Sequence, residues 1–346
     1  MSSTGGTFTA GVDDFFVDEL PLYDPSGEGE HCYISVQKKG LNTRDLVKRA
    51  IEVFGVSERD VGTAGMKDRH ATTTQMLSIL GISSDRALEL QDDGVEVLSV
   101  TRHRNKLKTG HLRGNRFRMR LRSVTSDAED AAQAIFEILS RKGMANYFGP
   151  QRFGRYGDNA QQGHAMLSRR GKRVGRWKGR LLVSALQSAL FNQYVDYRLS
   201  QDALGRALAG DVMRKCGSGG QFICTEPEVD QSRIELSEIS PTGPMFGWKM
   251  KQPAPGSEPH QWESSVLAGA ELTLDSFRAV KRIAEGTRRP LRIFVEDPTV
   301  ERSGEDLWVS FSLPSGSYAT VVISELTQQG LPTVSVLPID DPKGSD

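Results

Sequence analysis

Hydrophobic and polar positions change their period several times along this chain, and each change predicts an element. Residues 31–36 alternate, with Cys32, Ile34 and Val36 on one side, as a half-buried strand does. From about Thr43 to Phe54 the period lengthens, placing Leu46, Val47, Ala50, Ile51 and Phe54 on one helical stripe. Asn42 or Thr43 can cap that helix, and Gly55 stops it. Val61 to Ala64 reads as a short strand. Residues 115–122 direct Phe117, Met119 and Leu121 toward a core and Arg116, Arg118, Arg120 and Arg122 outward. Ser126 and Glu129 have the spacing of a capping box ahead of a helix through Ile135, Ile138 and Leu139.

Beyond residue 172 the pattern shifts. A strong helix is expected near 181–200, with Leu182, Ala185, Leu186, Ala189 and Leu190 on one face, and then a looser Gly/Pro-rich region at 240–260. Strand periodicity returns at 291–295, 307–313 and 318–323. Strand-rich ends around a helical middle predict an α+β fold in which one domain is interrupted by another. The polar stretch 340–346 is expected to be a disordered tail.

At 346 residues the chain can bury a large core in two domains. It has no run of eighteen apolar residues, and its first residues carry neither a basic nor an apolar leader pattern. Three scattered cysteines, Cys32, Cys216 and Cys224, suit neither a disulfide framework nor a zinc site. A cytoplasmic protein is the expectation. The formal net charge is zero, yet it is unevenly distributed. Residues 101–122 and 141–180 together hold 20 of the 44 basic side chains and 1 of the 44 acidic ones. Such polarity suits polyanion binding on one face. A row of exposed arginines is costly unless an anion lies along it.

Two segments carry candidate chemistry. In Gly65-Met66-Lys67-Asp68-Arg69-His70-Ala71-Thr72-Thr73, with Gln75, a carboxylate sits between cations at the end of a strand, a setting that can hold it ionised. Asn146-Tyr147-Phe148-Gly149-Pro150-Gln151-Arg152-Phe153-Gly154 gathers aromatics, amides and an arginine. Together they resemble the tRNA pseudouridine synthase D (TruD) family. Similarity continues through Asp14-Phe15-x-Val17-x-Glu19, Gly110-His111-Leu112-Arg113-Gly114-Asn115-Arg116-Phe117, Thr242-Gly243-Pro244-Met245-Phe246-Gly247 and Leu313-Pro314-x-Gly316-Ser317-Tyr318-Ala319-Thr320, from about residue 12 to about 326.

The resemblance implies a pseudouridine synthase domain with a mixed, mainly antiparallel sheet in permuted strand order, formed by 1–171 and 289–346, and an inserted α+β TRUD domain at 172–288. It implies isomerisation of a tRNA uridine, at position 13 of the D arm, with Asp68 as the catalytic carboxylate. Whether Asp68 attacks C1′ or C6, or removes a sugar proton, stays open. Phe148 is the candidate for stacking on the target base, and Asn146 for a hydrogen bond near the carboxylate. Lys67 and Arg152 pair with that carboxylate or with the target phosphate, or form structural ion pairs. Arg113, Arg116, Arg118 and Arg120 are candidates for tRNA phosphates. The chemistry needs no cofactor and no metal, and a monomer is expected. The rival is a non-catalytic RNA-binding or chaperone protein with a vestigial site.

Overall fold

The computed structural model describes residues 2–168, 174–280, 282–332 and 334–337, so the tail at 340–346 lies outside the described residues. The chain opens with β1 (Gly5–Thr7), β2 (Phe15–Pro21), β3 (His31–Lys39), α1 (Thr43–Phe54), β4 (Val61–Thr63), β5 (Thr72–Leu80), β6 (Val95–His103), β7 (Leu112–Val124) and α2 (Ala128–Arg141). Next come β8 (Met144–Ala145), α3 (Asn159–Leu167), α4 (Arg176–Ser200), β9 (Val212–Lys215), β10 (Gln221–Ile223), α5 (Pro227–Glu235), β11 (Ile239–Met245) and α6 (Glu258–Gly269). The final elements are β12 (Thr287–Pro290), β13 (Arg292–Ile293), β14 (Glu296–Ser303), β15 (Asp306–Pro314) and α7 (Ala319–Thr327).

Two compact units result: the described residues of 1–142 with 294–329, and the described residues of 143–293 with those after 329. These borders differ from the expected 171/172 and 288/289. The cause is local: Met144 and Ala145 of β8 pair with Ile293 and Arg292 of β13, and residues 146–152 bond to α4. That stretch therefore belongs with the middle of the chain.

In the first unit the strands run in the order β14-β15-β7-β2-β5-β3-β6, with β1 on β7 and β4 on β5. β2 and β5 are parallel, whereas β7 is antiparallel to both β2 and β15. Strands far apart in sequence are thus neighbours in a mixed, mainly antiparallel sheet. α1 packs through Leu46, Ala50 and Phe54 on Cys32, Ile34, Val36, Leu77 and Ile79. Asn42 caps it with a complete capping box to Asp45, and Gly55 ends it, as the sequence predicts. Across the sheet Phe136 of α2 lies 5.9 Å from Phe311, itself 5.6 Å from Phe117.

Two predictions fail here for definable reasons. The Ser126–Glu129 box does not form: Asp127 is the N-cap residue of α2, without a side-chain cap bond, so Glu129 stands at the second helical position instead of the third. Of the strand predicted at 318–323, Tyr318 is the extended N-cap residue and 319–323 belong to α7, whose Val321, Val322, Ile323 and Leu326 are buried. A short apolar run reads equally as strand or buried helix.

In the second unit β10-β9-β11-β12 form a sheet against α4. The loose region expected at 240–260 is ordered strand in its first part. β11 is buried from Pro241 to Met245, and a Cβ on Gly243 would stand 2.8 Å from Phe191 and 2.9 Å from Leu291. Only glycine lets strand and helix approach that closely. Beside it, Arg198 and Asp211 form a fully buried ion pair at 2.9 Å, and Arg288 meets Glu263 at 2.7 Å. Removing one partner leaves a buried charge uncompensated. Asp211→Asn should therefore cost about 3–5 kcal/mol in urea unfolding; a loss below about 1 kcal/mol would show that the pair does not hold this unit together.

Candidate active site

Asp68 lies in the loop between β4 and β5, and the cationic side chains on either side of it, Lys67 and Arg69, both face other carboxylates. Gly62, just before the loop, leaves no room for a side chain, since a Cβ there would stand 2.3 Å from the Leu107 carbonyl oxygen. Lys67 is buried, its ammonium 3.1 Å from Glu19 Oε1 and bonded to Asn115 Oδ1. Its backbone is latched to the first residue of α1: the Lys67 N–H donates to Thr43 Oγ1 at 2.7 Å, and the Thr43 N–H donates to the Lys67 carbonyl at 3.3 Å. Thr43 Oγ1 in turn donates to Gln75 Oε1 at 3.0 Å. Lys38, fully buried, donates to the carbonyls of Leu41 and Asp68, the latter at 3.1 Å.

The carboxylate itself is exposed. Its Oδ1 accepts the N–H groups of Arg69, at 2.6 Å, and His70, at 3.2 Å. Lys67 was a candidate partner of Asp68 or of a phosphate; the structure gives its charge to Glu19. Arg69 likewise pairs with Asp45 at 3.1 Å. Backbone N–H groups, not the flanking cations, orient the carboxylate. Burial lowers the Lys67 pKa, an effect opposed by Glu19. Burial also pushes Lys38 down to about 8, against the favourable charge of Asp68.

The Asn146 segment is built within the second unit by one side of α4. Ser184, Ser188, Asn192 and Asp196 recur every fourth residue and so form a stripe along the helix. Arg152 donates to Ser184 Oγ and, at 3.0 Å, to Ser188 Oγ. Asn192 accepts the Phe148 N–H at 2.9 Å and donates to the Phe148 carbonyl at 3.0 Å. Tyr147 donates its hydroxyl hydrogen to Asp196. Arg152 thus makes hydroxyl hydrogen bonds instead of the ion pair considered for it.

Phe148 is 7% exposed and its ring is edge-on to Phe191, with the Arg289 guanidinium carbon 4.0 Å from its centroid and that of Arg152 at 5.5 Å. Asn146 is buried: its Nδ2 donates to the Pro290 carbonyl at 2.9 Å, and its Oδ1 accepts from Arg289. Sequence reasoning missed Glu19, Lys38, Thr43, Asn192 and Arg289 as builders of these loops. The fourfold polar period on α4 was the one legible signal among them.

The arginine row on β7 is real but mostly occupied. Arg120 meets Asp306 at 2.6 Å and Asp14 at 3.7 Å; Arg118 lies 3.6 Å from Glu301 and 4.4 Å from the Trp308 centroid. Arg122 pairs with Asp14 at 2.7 Å. The anion expected along the row is supplied by carboxylates of the protein. Arg113 and Arg116 are exposed and have no ion pair among the described residues. Among the described residues, no three His, Cys, Asp or Glu side chains converge as a metal site, and no helix is long and apolar enough to cross a membrane.

The mixed sheet with an aspartate loop at its centre is the pseudouridine synthase fold. The family model "tRNA pseudouridine synthase D (TruD)" matches residues 1–174 and 173–326. A tRNA pseudouridine synthase D from Anaeromyxobacter sp. is 41% identical over 337 residues, covering 95% of each chain. One from Thermus thermophilus is 38% identical over 327 residues, covering 94% of this chain and 90% of its own. A crystal structure from Methanosarcina mazei described as TruD superposes with a TM-score of 0.74 at 22% identity, over 94% of both chains. The chain belongs to the tRNA pseudouridine synthase D family.

The depressed Lys38 pKa has a consequence for stability. Between about pH 8 and its ordinary pKa of 10.5 the unfolded chain binds more of this proton than the folded one, so this lysine's contribution rises with pH. Denaturant titrations of wild type and Lys38→Met from pH 7 to 10 should show the difference growing in favour of wild type. A pH-independent difference would place the Lys38 amine in water.

Proposed function

We propose that this protein isomerises a uridine of tRNA to pseudouridine, at position 13 of the D arm, with Asp68 as the reacting carboxylate. The reaction breaks the N1–C1′ bond, turns the base and joins C5 to C1′, while a proton leaves C5 and one is gained at N1. There is no net redox change or hydrolysis, so an ionised side chain and a base removed from its stack suffice. The observation that carries the reading is the isolation of the Asp68 carboxylate: exposed, oriented by two N–H groups, and flanked by cations committed to Glu19 and Asp45. Its backbone is held by Lys38, while Lys67 beside it is held by Thr43. A loop so fixed can present one acidic oxygen pair to a nucleotide with little reorganisation.

Phe148 is the candidate platform for the extruded base, and Asn146 the candidate hydrogen-bond donor. Arg113 and Arg116 are the members of the arginine row available to phosphates, since Arg118 and Arg120 face carboxylates. The protein acts as a monomer in the cytoplasm, where tRNA is modified.

The decisive experiment incubates unmodified tRNA with wild type and Asp68→Asn and maps pseudouridine. Wild type should modify one site, and the variant none, with tRNA affinity retained. Binding by both without modification would leave an RNA-binding protein with a vestigial site. The charge assignment is tested separately. Arg113→Gln with Arg116→Gln should reduce the slope of log affinity against log salt by about 1 to 2, because each lost phosphate contact removes about 0.9. Arg120→Gln should leave it nearly unchanged, and the reverse ranking would put the RNA on the carboxylate-bearing part of the row.

A further inference from the structure

We propose that Arg289 is a positioning residue that sets the donor polarity of Asn146 and the orientation of the Phe148 ring. This deepens the reading above and rests on it. Arg289 sits on β12 opposite Gly243 of β11. Its Nε donates to the Asn146 carbonyl at 3.1 Å and its Nη2 to Asn146 Oδ1, so one guanidinium spans backbone and side chain of the same residue. A guanidinium cannot accept a hydrogen bond. The oxygen of the Asn146 amide must therefore face Arg289, and its nitrogen must face the Pro290 carbonyl, 2.9 Å away. The second N–H of that amide is thereby oriented as the donor that Asn146 offers to substrate.

The same guanidinium stacks 4.0 Å from the Phe148 centroid and 5.5 Å from that of Phe191. With the Phe148 backbone clipped at both N–H and carbonyl by Asn192, the ring has few alternatives left. Arg289 thus joins the two residues of the segment to which substrate roles are assigned. Lysine could supply the charge but not the planar fork that meets two oxygens while lying on a ring.

β12 itself is fixed from its other side. Arg288 points into the buried interior, donating to Thr242 Oγ1 at 3.0 Å, to the Thr242 carbonyl at 2.7 Å, and pairing with Glu263. Anchoring of one arginine inside places its neighbour outside, over Asn146 and Phe148.

The test measures single-turnover and steady-state pseudouridine formation by wild type, Arg289→Lys and Arg289→Ala, the last with and without tens of millimolar guanidinium. Both variants should lose at least tenfold in kcat with KM for tRNA within about threefold. Added guanidinium should restore part of the Arg289→Ala loss without affecting wild type. Raised KM at unchanged kcat would make Arg289 a phosphate contact, and full activity of Arg289→Lys would show that charge alone matters; either overturns the proposal. A loss that tracks a lowered melting temperature, with no rescue, would reduce the residue to scaffold and overturn it too. Asp68→Asn is run alongside: inactive wild type would sink the functional reading, whereas active wild type, inactive Asp68→Asn and undiminished Arg289→Ala would sink this proposal alone.

Discussion

The buried ion pair of Lys67 with Glu19 is the constraint on which the aspartate loop depends. An ammonium and a carboxylate withdrawn from water are tolerated only while they face each other, so the loop cannot shift without exposing the mismatch. With Lys67 turned inward, the next residue is turned outward, and Asp68 reaches the surface as a direct result. Thr43 then ties the loop to a helix that is itself set on the sheet by Leu46, Ala50 and Phe54. The position of a single carboxylate is in this way referred back to the hydrophobic core.

The second unit solves a similar problem with different means. Its aromatic segment has no secondary structure beyond β8 and a short 3₁₀ turn, and is shaped by hydrogen bonds from α4. A helix whose neighbouring polar groups repeat every fourth residue offers a straight row of donors and acceptors, against which an irregular stretch can be held as firmly as a strand. Both loops are thus rigid through side chains supplied from elsewhere in the chain, which is how irregular backbone can carry chemistry.

Much of the fold was legible because its signals are local. The caps of α1, the arginine–hydrophobic alternation of β7 and the strand at 307–313 all follow from neighbouring residues, and all are present. Asp68 and the Asn146 segment could be singled out by composition and family likeness. Their surroundings could not. Glu19 lies 48 positions before Lys67, and Arg289 143 positions after Asn146, so nothing in the sequence ties either to its partner. The partners of the arginine row are hidden for the same reason: its carboxylates arrive from β14, β15 and the turn before β2. The error at α7 differs in kind, since a short fully buried segment carries no period to read.

Consecutive arginines on β12 serve opposite sides of one strand, the first in the interior of the second unit and the second over Asn146 and Phe148. Losing or gaining a single residue within that strand would exchange the two, forcing a charge without its acid into the interior and leaving the aromatic uncovered. Longer insertions at the exposed turn 217–218 between β9 and β10 would cost chiefly loop entropy. Length variation in this protein is accordingly governed by parity at one short strand far more than by how many residues are added.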